Sequence, residues 1–130
     1  MQNAIVAGSS TTSTTSSSYV ELSSMTLTTH NLRANSTYKI DFTANFSNNN
    51  LLGATTSFIL TIDGTNITAT EIQMSQVSNG AKLCVSITYV HTTALSSGKV
   101  IKVRWNTTAA TSTCYARSLS IFGIPSTYVV

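Results

Sequence analysis

Charge is what this sequence has least of. Only 8% of its 130 residues are charged, against about 25% in an average domain. The seven basic residues stand singly along the chain. A nucleic-acid-binding surface needs a dense basic patch with stacking aromatic side chains, so we expect no nucleic acid partner. Because so little charge keeps copies apart, the composition favours a protein that packs against copies of itself.

Side chains for catalysis are also scarce. A serine hydrolase triad needs its nucleophile on a strained turn, and no Gly-x-Ser-x-Gly motif occurs; His30 and His91 lie at the ends of predicted strands. A glycosidase needs two facing carboxylates, and the chain has four acidic residues. A turn accounts for Asp63, and a strand position paired with an arginine accounts for Glu71. We therefore expect a protein that is not an enzyme.

Two cysteines, Cys84 and Cys114, are too few and too far apart for a zinc site, which needs Cys or His at close, repeated spacing. The sequence has neither a glycine-rich phosphate loop nor an acidic calcium loop, so we expect no metal and no cofactor. The two cysteines could form a disulfide, but a reducing cytoplasm favours two free, buried thiols.

Long apolar runs are absent as well. No run of about twenty apolar residues could cross a bilayer, so we expect no membrane partner. The first three residues carry no basic charge, and the apolar run 4–7 is too short for a signal peptide. These features predict synthesis in a cytoplasm.

The residues that are present predict strands. From Tyr38 to Phe46 apolar and polar residues alternate, which places one side on a core and the other in water. Asp63-Gly64 and Asn79-Gly80 have the composition of hairpin turns. Seven strands are predicted: 19–27, 37–46, 55–62, 66–74, 82–90, 99–106 and 113–124. Their number and spacing predict an all-β antiparallel sandwich or barrel covering residues 19–130.

Residues 1–18 read as a separate N-terminal arm. Ser9 to Ser18 is an unbroken Ser/Thr tract that cannot bury anything by itself. A small apolar anchor precedes it, formed by Ala4, Ile5 and Val6. We expect this arm to dock on a neighbouring subunit or a larger surface.

The last predicted strand is apolar on both faces. Leu119 and Ile121 share one face, and Phe122 and Ile124 share the other. A strand of this kind is covered twice, and packing between copies in a closed ring would supply the second cover. Six aromatic residues could fill the core or stack on sugars: Tyr19, Tyr38, Tyr89, Trp105, Tyr115 and Tyr128.

Three segments resemble the small virion proteins of tailed bacteriophages. They are Ser57–Ile67 leading on to Glu71, the run Gly98–Trp105, and the closing run Arg117–Ile124. The order and spacing are similar over roughly residues 19–124. The resemblance implies a trimeric jelly roll of the tumour-necrosis-factor and C1q type.

The resemblance also implies a place on the outer surface of a phage head. The expected role is that of a capsid decoration, or cement, protein that bridges the major capsid protein and stabilises the shell. The alternative is the receptor- or glycan-binding tip of a head or tail fibre. The implied homotrimer interface comprises Tyr115, Arg117, Leu119, Ile121, Phe122 and Ile124, and Ala4, Ile5 and Val6 would dock on the capsid.

Overall fold

The computed structural model describes residues 3–29, 36–49, 53–75, 80–91 and 98–125. Within these ranges it has ten strands and one 3₁₀ turn, Thr68–Thr70. The strands are β1 Asn3–Gly8, β2 Thr12–Thr14, β3 Val20–Thr28, β4 Ser36–Asn48, β5 Thr55–Ile62, β6 Thr65–Asn66, β7 Ile72–Ser75, β8 Leu83–His91, β9 Val100–Thr107 and β10 Ser112–Pro125. None of the described helical residues forms a segment long and apolar enough to span a bilayer.

The strands form two antiparallel sheets packed face to face. Sheet A has the order β1-β10-β4-β8, with β2 also paired to β10. Sheet B has the order β3-β9-β5-β6, with β7 also paired to β5. The predicted all-β antiparallel sandwich is confirmed.

Aromatic rings from both sheets form the centre of the core. Phe42 and Phe46 of sheet A lie with their ring centroids 5.7 and 5.1 Å from that of Phe58 in sheet B. Trp105 stacks on the same Phe58 ring at 5.9 Å. The contacts follow from the predicted alternation, because every second residue of β4 from Tyr38 is buried.

The predicted fourth strand, 66–74, is interrupted. Its residues divide among β6, the 3₁₀ turn and β7. Thr70 accounts for the break, because its Oγ1 accepts the Leu60 N–H at 3.0 Å and donates to the Ile67 carbonyl at 2.6 Å. A threonine side chain here takes the place of a backbone ladder partner.

The N-terminal segment differs from the expected separate arm. Strands β1 and β2 both pair with β10, so Asn3–Gly8 and Thr12–Thr14 form an edge of sheet A. The pairing is favourable because Ala4 and Val6 turn inward and pack on the core. A Cβ at Gly8 would lie 3.0 Å from the Ser24 Cβ, so a larger residue here would require the neighbouring chain to shift by a few tenths of an ångström.

Candidate functional site: the outer face of sheet A

The outer face of sheet A carries three of the four large apolar side chains that are exposed in the described chain; the fourth, Val20 at 38% exposure, begins β3 in sheet B. Ile5 is 73% exposed, Val90 49% and Phe122 39%. The register places Val90, Lys39 and Phe122 in one row across β8, β4 and β10. Ile5 lies in the next row, opposite Ser120. A shallow groove of about 670 Å³ runs along this face; its lining residues are Ala4, Ile5, Lys39, Asp41, Ser120, Ile121 and Phe122.

Charge is nearly absent from this face. Among the described strand residues that point outward from sheet A, Lys39 and Asp41 are the charged pair, with Nζ and Oδ2 3.5 Å apart. Thr88 also donates to Asp41 Oδ1 at 2.7 Å. The neighbouring positions are hydroxyl-bearing, and Thr43 and Ser118 lie 3.0 Å apart through their hydroxyls. The face can therefore be buried with little loss of ionic hydration.

The implied trimer-interface residues divide between two sides of β10. Phe122 points outward and is available for contact. Leu119 and Ile121 are 0% and 2% exposed in the core, and Arg117 is 5% exposed, so these three cannot form an interface between copies. Tyr115 is half-buried, with the Lys82 ammonium 4.4 Å from its ring centroid.

The remaining predicted contact residues divide in the same way. The side chain of Ile124 lies outside the described residues. Of the expected capsid-docking anchor, Ala4 and Val6 pack inward and Ile5 alone points outward. Phe122 and Ile5, one row apart on adjacent strands, are thus the predicted site residues that the fold brings together on a surface.

The outer face of sheet B is charged by comparison. Lys102 Nζ lies 2.7 Å from Glu21 Oε1, and this ammonium lowers the pKa of the Glu21 carboxyl. Asp63 pairs with Lys99 at 3.0 Å, and the hydrogen bond from the Val100 N–H is the main cause of its lowered pKa. Sheet A therefore presents the less hydrated face of the sandwich.

Glu71 also lies on the sheet B side, and its partner differs from the expected arginine. It accepts the hydroxyl proton of Tyr19, and burial together with this carboxylate raises the pKa of Tyr19. Arg104 donates instead to Asn66 Oδ1 at 3.0 Å. The Glu71 carboxylate is thus hydrogen-bonded to a tyrosine from the segment that precedes β3.

Sequence reasoning missed a buried polar cluster that joins the sheets. Asn48 Nδ2, at the end of β4, lies 3.0 Å from Thr107 Oγ1, 3.1 Å from the Ala109 carbonyl and 2.9 Å from Ser112 Oγ. Ser112 Oγ lies 2.6 Å from Thr56 Oγ1. The departure from apolar–polar alternation at Ser47-Asn48 was the available signal.

Cys84 differs from the expectation of two buried thiols, whereas Cys114, Trp105 and Tyr38 lie in the core, a position that the sequence allowed for each of them. Both thiols are free, but Cys84 is exposed and donates to Asn45 Oδ1 at 2.9 Å, whereas Cys114 is buried. Trp105 and Tyr38 are core residues at 1% exposure. Tyr19, Tyr89 and Tyr115 are half-buried, and Tyr128 lies outside the described residues. In the described part of the chain, no three or more His, Cys, Asp or Glu side chains group as metal ligands.

Comparison with solved structures shows the fold. The structure is similar to that of infectious bursal disease virus, Gx strain, with a TM-score of 0.60 and 14% identity, covering 97% of this chain and 33% of that one. The VP2 subviral particle of the same virus gives a TM-score of 0.56 at 15% identity, covering 96% and 33%. This chain thus spans about a third of those chains.

The sugar-binding EclA C-terminal domain is also similar, with a TM-score of 0.50 and 8% identity over 86% of this chain and 78% of that one. No family model and no curated relative matches the sequence. The sheets and these likenesses together identify the fold as an antiparallel jelly-roll sandwich.

Proposed function

We propose that this chain is a structural protein of a virus particle, specifically a decoration protein on the outer head surface of a tailed bacteriophage. The outer face of sheet A carries the proposal. Ile5, Val90 and Phe122 are exposed there, and the charge on its described strand residues is the Lys39–Asp41 ion pair. Likeness to a viral capsid fold and the resemblance to phage virion proteins support the setting.

We expect this surface to be covered by another molecule. Monomeric proteins seldom expose contiguous apolar patches larger than a few hundred Å². Three copies that turn these faces towards a common axis would bury Phe122 and Ile5, in agreement with the homotrimer implied by the resemblance. The proposal assigns no catalytic residue and no cofactor.

The mechanism we propose is mechanical. Trimers seated where capsomers of the major capsid protein meet would bridge them and raise the barrier to rupture of the shell. Three linked contacts supply avidity that one contact lacks.

The first test is the mass of the purified protein in solution, by light scattering. We expect a trimer of 13.8 kDa chains, and Phe122→Lys should dissociate it. Thr26→Lys, an exposed change on sheet B, is the matched control and should leave the trimer intact. A wild-type monomer at micromolar concentration would contradict the proposal.

The second test is attachment to heads. Phage particles that lack the protein should bind it when it is added back, appear decorated by electron microscopy and resist heating better. Phe122→Lys should restore neither property. Deletion of residues 1–18 is unsuitable here, because it removes two strands of sheet A along with any docking anchor. If the particles do not bind the wild-type trimer, decoration is ruled out.

The second candidate is a glycan-binding fibre tip, and the groove favours it. The exposed Phe122 ring lies beside the Lys39–Asp41 pair and Ser120, which combines a stacking surface with hydroxyl-binding groups. A sugar-binding domain shares the fold. Binding on a glycan array that Phe122→Ala abolishes, with Thr26→Lys unaffected, would favour this role over decoration.

A further inference from the structure

We propose that copies join edge to edge within sheet A, with β8 of one copy pairing antiparallel to β1 of the next. This inference rests on the proposed homotrimer and names the contact that builds it. It comes from the backbone hydrogen bonds of the two outermost strands.

Strand β8 is paired on one edge, and along 83–90 no strand of the described chain lies beside its other edge. It matches β4 through nine consecutive residue pairs, from Tyr38–His91 to Phe46–Leu83, without a register shift. About half the N–H and C=O groups of such a strand point away from its partner. Along 83–90, the described structure gives these outward groups no second backbone partner.

The open edge lacks the features that normally block further pairing. Natural edge strands carry charges, prolines or bulges, or are very short. β8 is nine residues long, against a usual five or six, and its sequence contains no Lys, Arg, Asp, Glu or Pro. An edge this long, unbulged and uncharged can accept another strand.

The opposite edge of the same sheet is complementary. β1 pairs with β10 and with no other strand in the described ranges, and Asn3–Gly8 is also uncharged. Two strands, β10 and β4, lie between the two edges, and all three neighbouring pairs are antiparallel, so β1 runs opposite to β8. A copy rotated about an axis along the strands therefore presents β1 antiparallel to β8, the geometry of the other sheet contacts.

The side chains also match. The register places Ala7 level with Ser86, through Ser118 and Thr43, and all four point to the outer face. Pairing at that level puts the exposed Ile5 of one copy among the outer-face residues of the next copy's β8. Because a head-to-tail contact of this kind uses two different edges, it closes when the rotation closes, and a trimer satisfies all its edges.

Cysteine cross-linking tests the contact. Ala7→Cys and Ser86→Cys are combined in a Cys84→Ser background. Within one chain, these positions are three strand spacings apart, about 14 Å, beyond the reach of a disulfide of about 7 Å between Cα atoms. Buried Cys114 is left in place. Mild oxidation should therefore give a covalent trimer on a non-reducing gel.

The controls separate the possible outcomes. Each single cysteine variant should give little cross-linked product, and efficient Ser86→Cys dimers would overturn the inference in favour of a β8–β8 contact. Two further variants keep Ala7→Cys and test the neighbouring registers. One carries Thr88→Cys instead of Ser86→Cys, and the other keeps native Cys84 as the only cysteine of β8. A trimer by mass with no Ala7→Cys cross-link in any register overturns the edge contact and leaves the proposed function standing. A monomer by mass overturns both.

Discussion

Arg117 shows how one side chain organises a distant part of the backbone. Its Nε donates to the Ser23 carbonyl, and its Nη1 donates to the Ser10 and Tyr115 carbonyls, each at 2.8 Å. The guanidinium thus joins the β1–β2 connection, the irregular part of β3 and the β10 bulge. A buried charge is tolerable when hydrogen bonds replace its hydration, and carbonyl dipoles supply them here.

Replacement of Arg117 should be costly. Arg117→Met keeps much of the stem but leaves three carbonyls without their donor, so we expect a loss of roughly 3 kcal/mol in the free energy of unfolding. Urea denaturation followed by Trp105 fluorescence measures it. Arg104→Met, which removes one hydrogen bond to Asn66 at a less buried site, should cost about 1 kcal/mol or less. Equal losses in the two variants would contradict the assigned role.

Asn48 makes a second residue-scale prediction. Its buried amide nitrogen lies within hydrogen-bonding distance of three oxygens and shares its two N–H donors among them, whereas an ionised carboxylate of the same shape only accepts. Asn48→Asp should lower the free energy of unfolding by about 2–3 kcal/mol at pH 7. Asn45→Asp, three residues earlier on the same strand and exposed, is the control, since its oxygen already accepts the Cys84 thiol proton. Chemical denaturation of both variants makes the comparison.

At the scale of elements, the β5–β6 hairpin shows sequence and fold in agreement. Asp63 and Gly64 have φ of 49° and 80°, the left-handed values that a two-residue type I′ turn requires. The Asp63 carboxylate then reaches across to β9, where its Oδ1 accepts the Val100 N–H at 2.8 Å. The turn is therefore held by a side chain as well as by its own conformation.

This carboxylate should make stability depend on acid pH. The Val100 N–H, followed by Lys99, lowers the folded-state pKa of Asp63 below 3.8. Its stabilising contribution is complete above that unfolded value and is lost as the pH falls through the lower folded pKa. Between pH 5 and 2.5, wild type should therefore lose more thermal stability than Asp63→Asn, which keeps an acceptor but does not titrate. Parallel melting curves with the same pH dependence would refute this assignment.

At the scale of the whole molecule, the sandwich has two unlike outer faces around one core. Among the described residues, sheet B carries ion pairs such as Glu21–Lys102, and the outer face of sheet A carries Ile5, Val90 and Phe122 with the Lys39–Asp41 pair. The core between them excludes solvent. We therefore expect association to proceed through sheet A.

The reactivity of the two thiols measures how tightly this core is closed to solvent. Burial raises the pKa of Cys114 to about 11, so at pH 8 it is both inaccessible and protonated, whereas Cys84 is exposed. A thiol reagent should label Cys84 at once, and Cys114 about a thousandfold or more slowly, because its labelling requires global opening. Cys84→Ser and Cys114→Ser variants identify each phase by stopped-flow absorbance. Two equally fast phases would show that the core opens locally.

Short-range physics explains what the sequence determined by itself. The period of two between Tyr38 and Phe46 fixed the buried side of β4, because alternate side chains of a strand point to opposite faces. Asp63-Gly64 fixed a hairpin because few residues accept positive φ. These local rules predicted the all-β sandwich and its main strands, and they correctly indicated Phe122 as an outward apolar residue of β10.

The tertiary structure decided which strand edges pair, and on which face of β10 the residues after its bulge lie. The register shift between Cys114 and Arg117 places both side chains inward, where strict alternation would put them on opposite faces. Arg117 is therefore a buried residue that binds backbone carbonyls, and not the interface residue that was expected. The Ser/Thr segment 9–18 has no apolar signal, yet its residues Thr12–Thr14 form an edge strand, because β10 offers backbone partners far along the chain. Pairing through backbone groups leaves little trace in side-chain sequence, and for that reason only the folded chain reveals it.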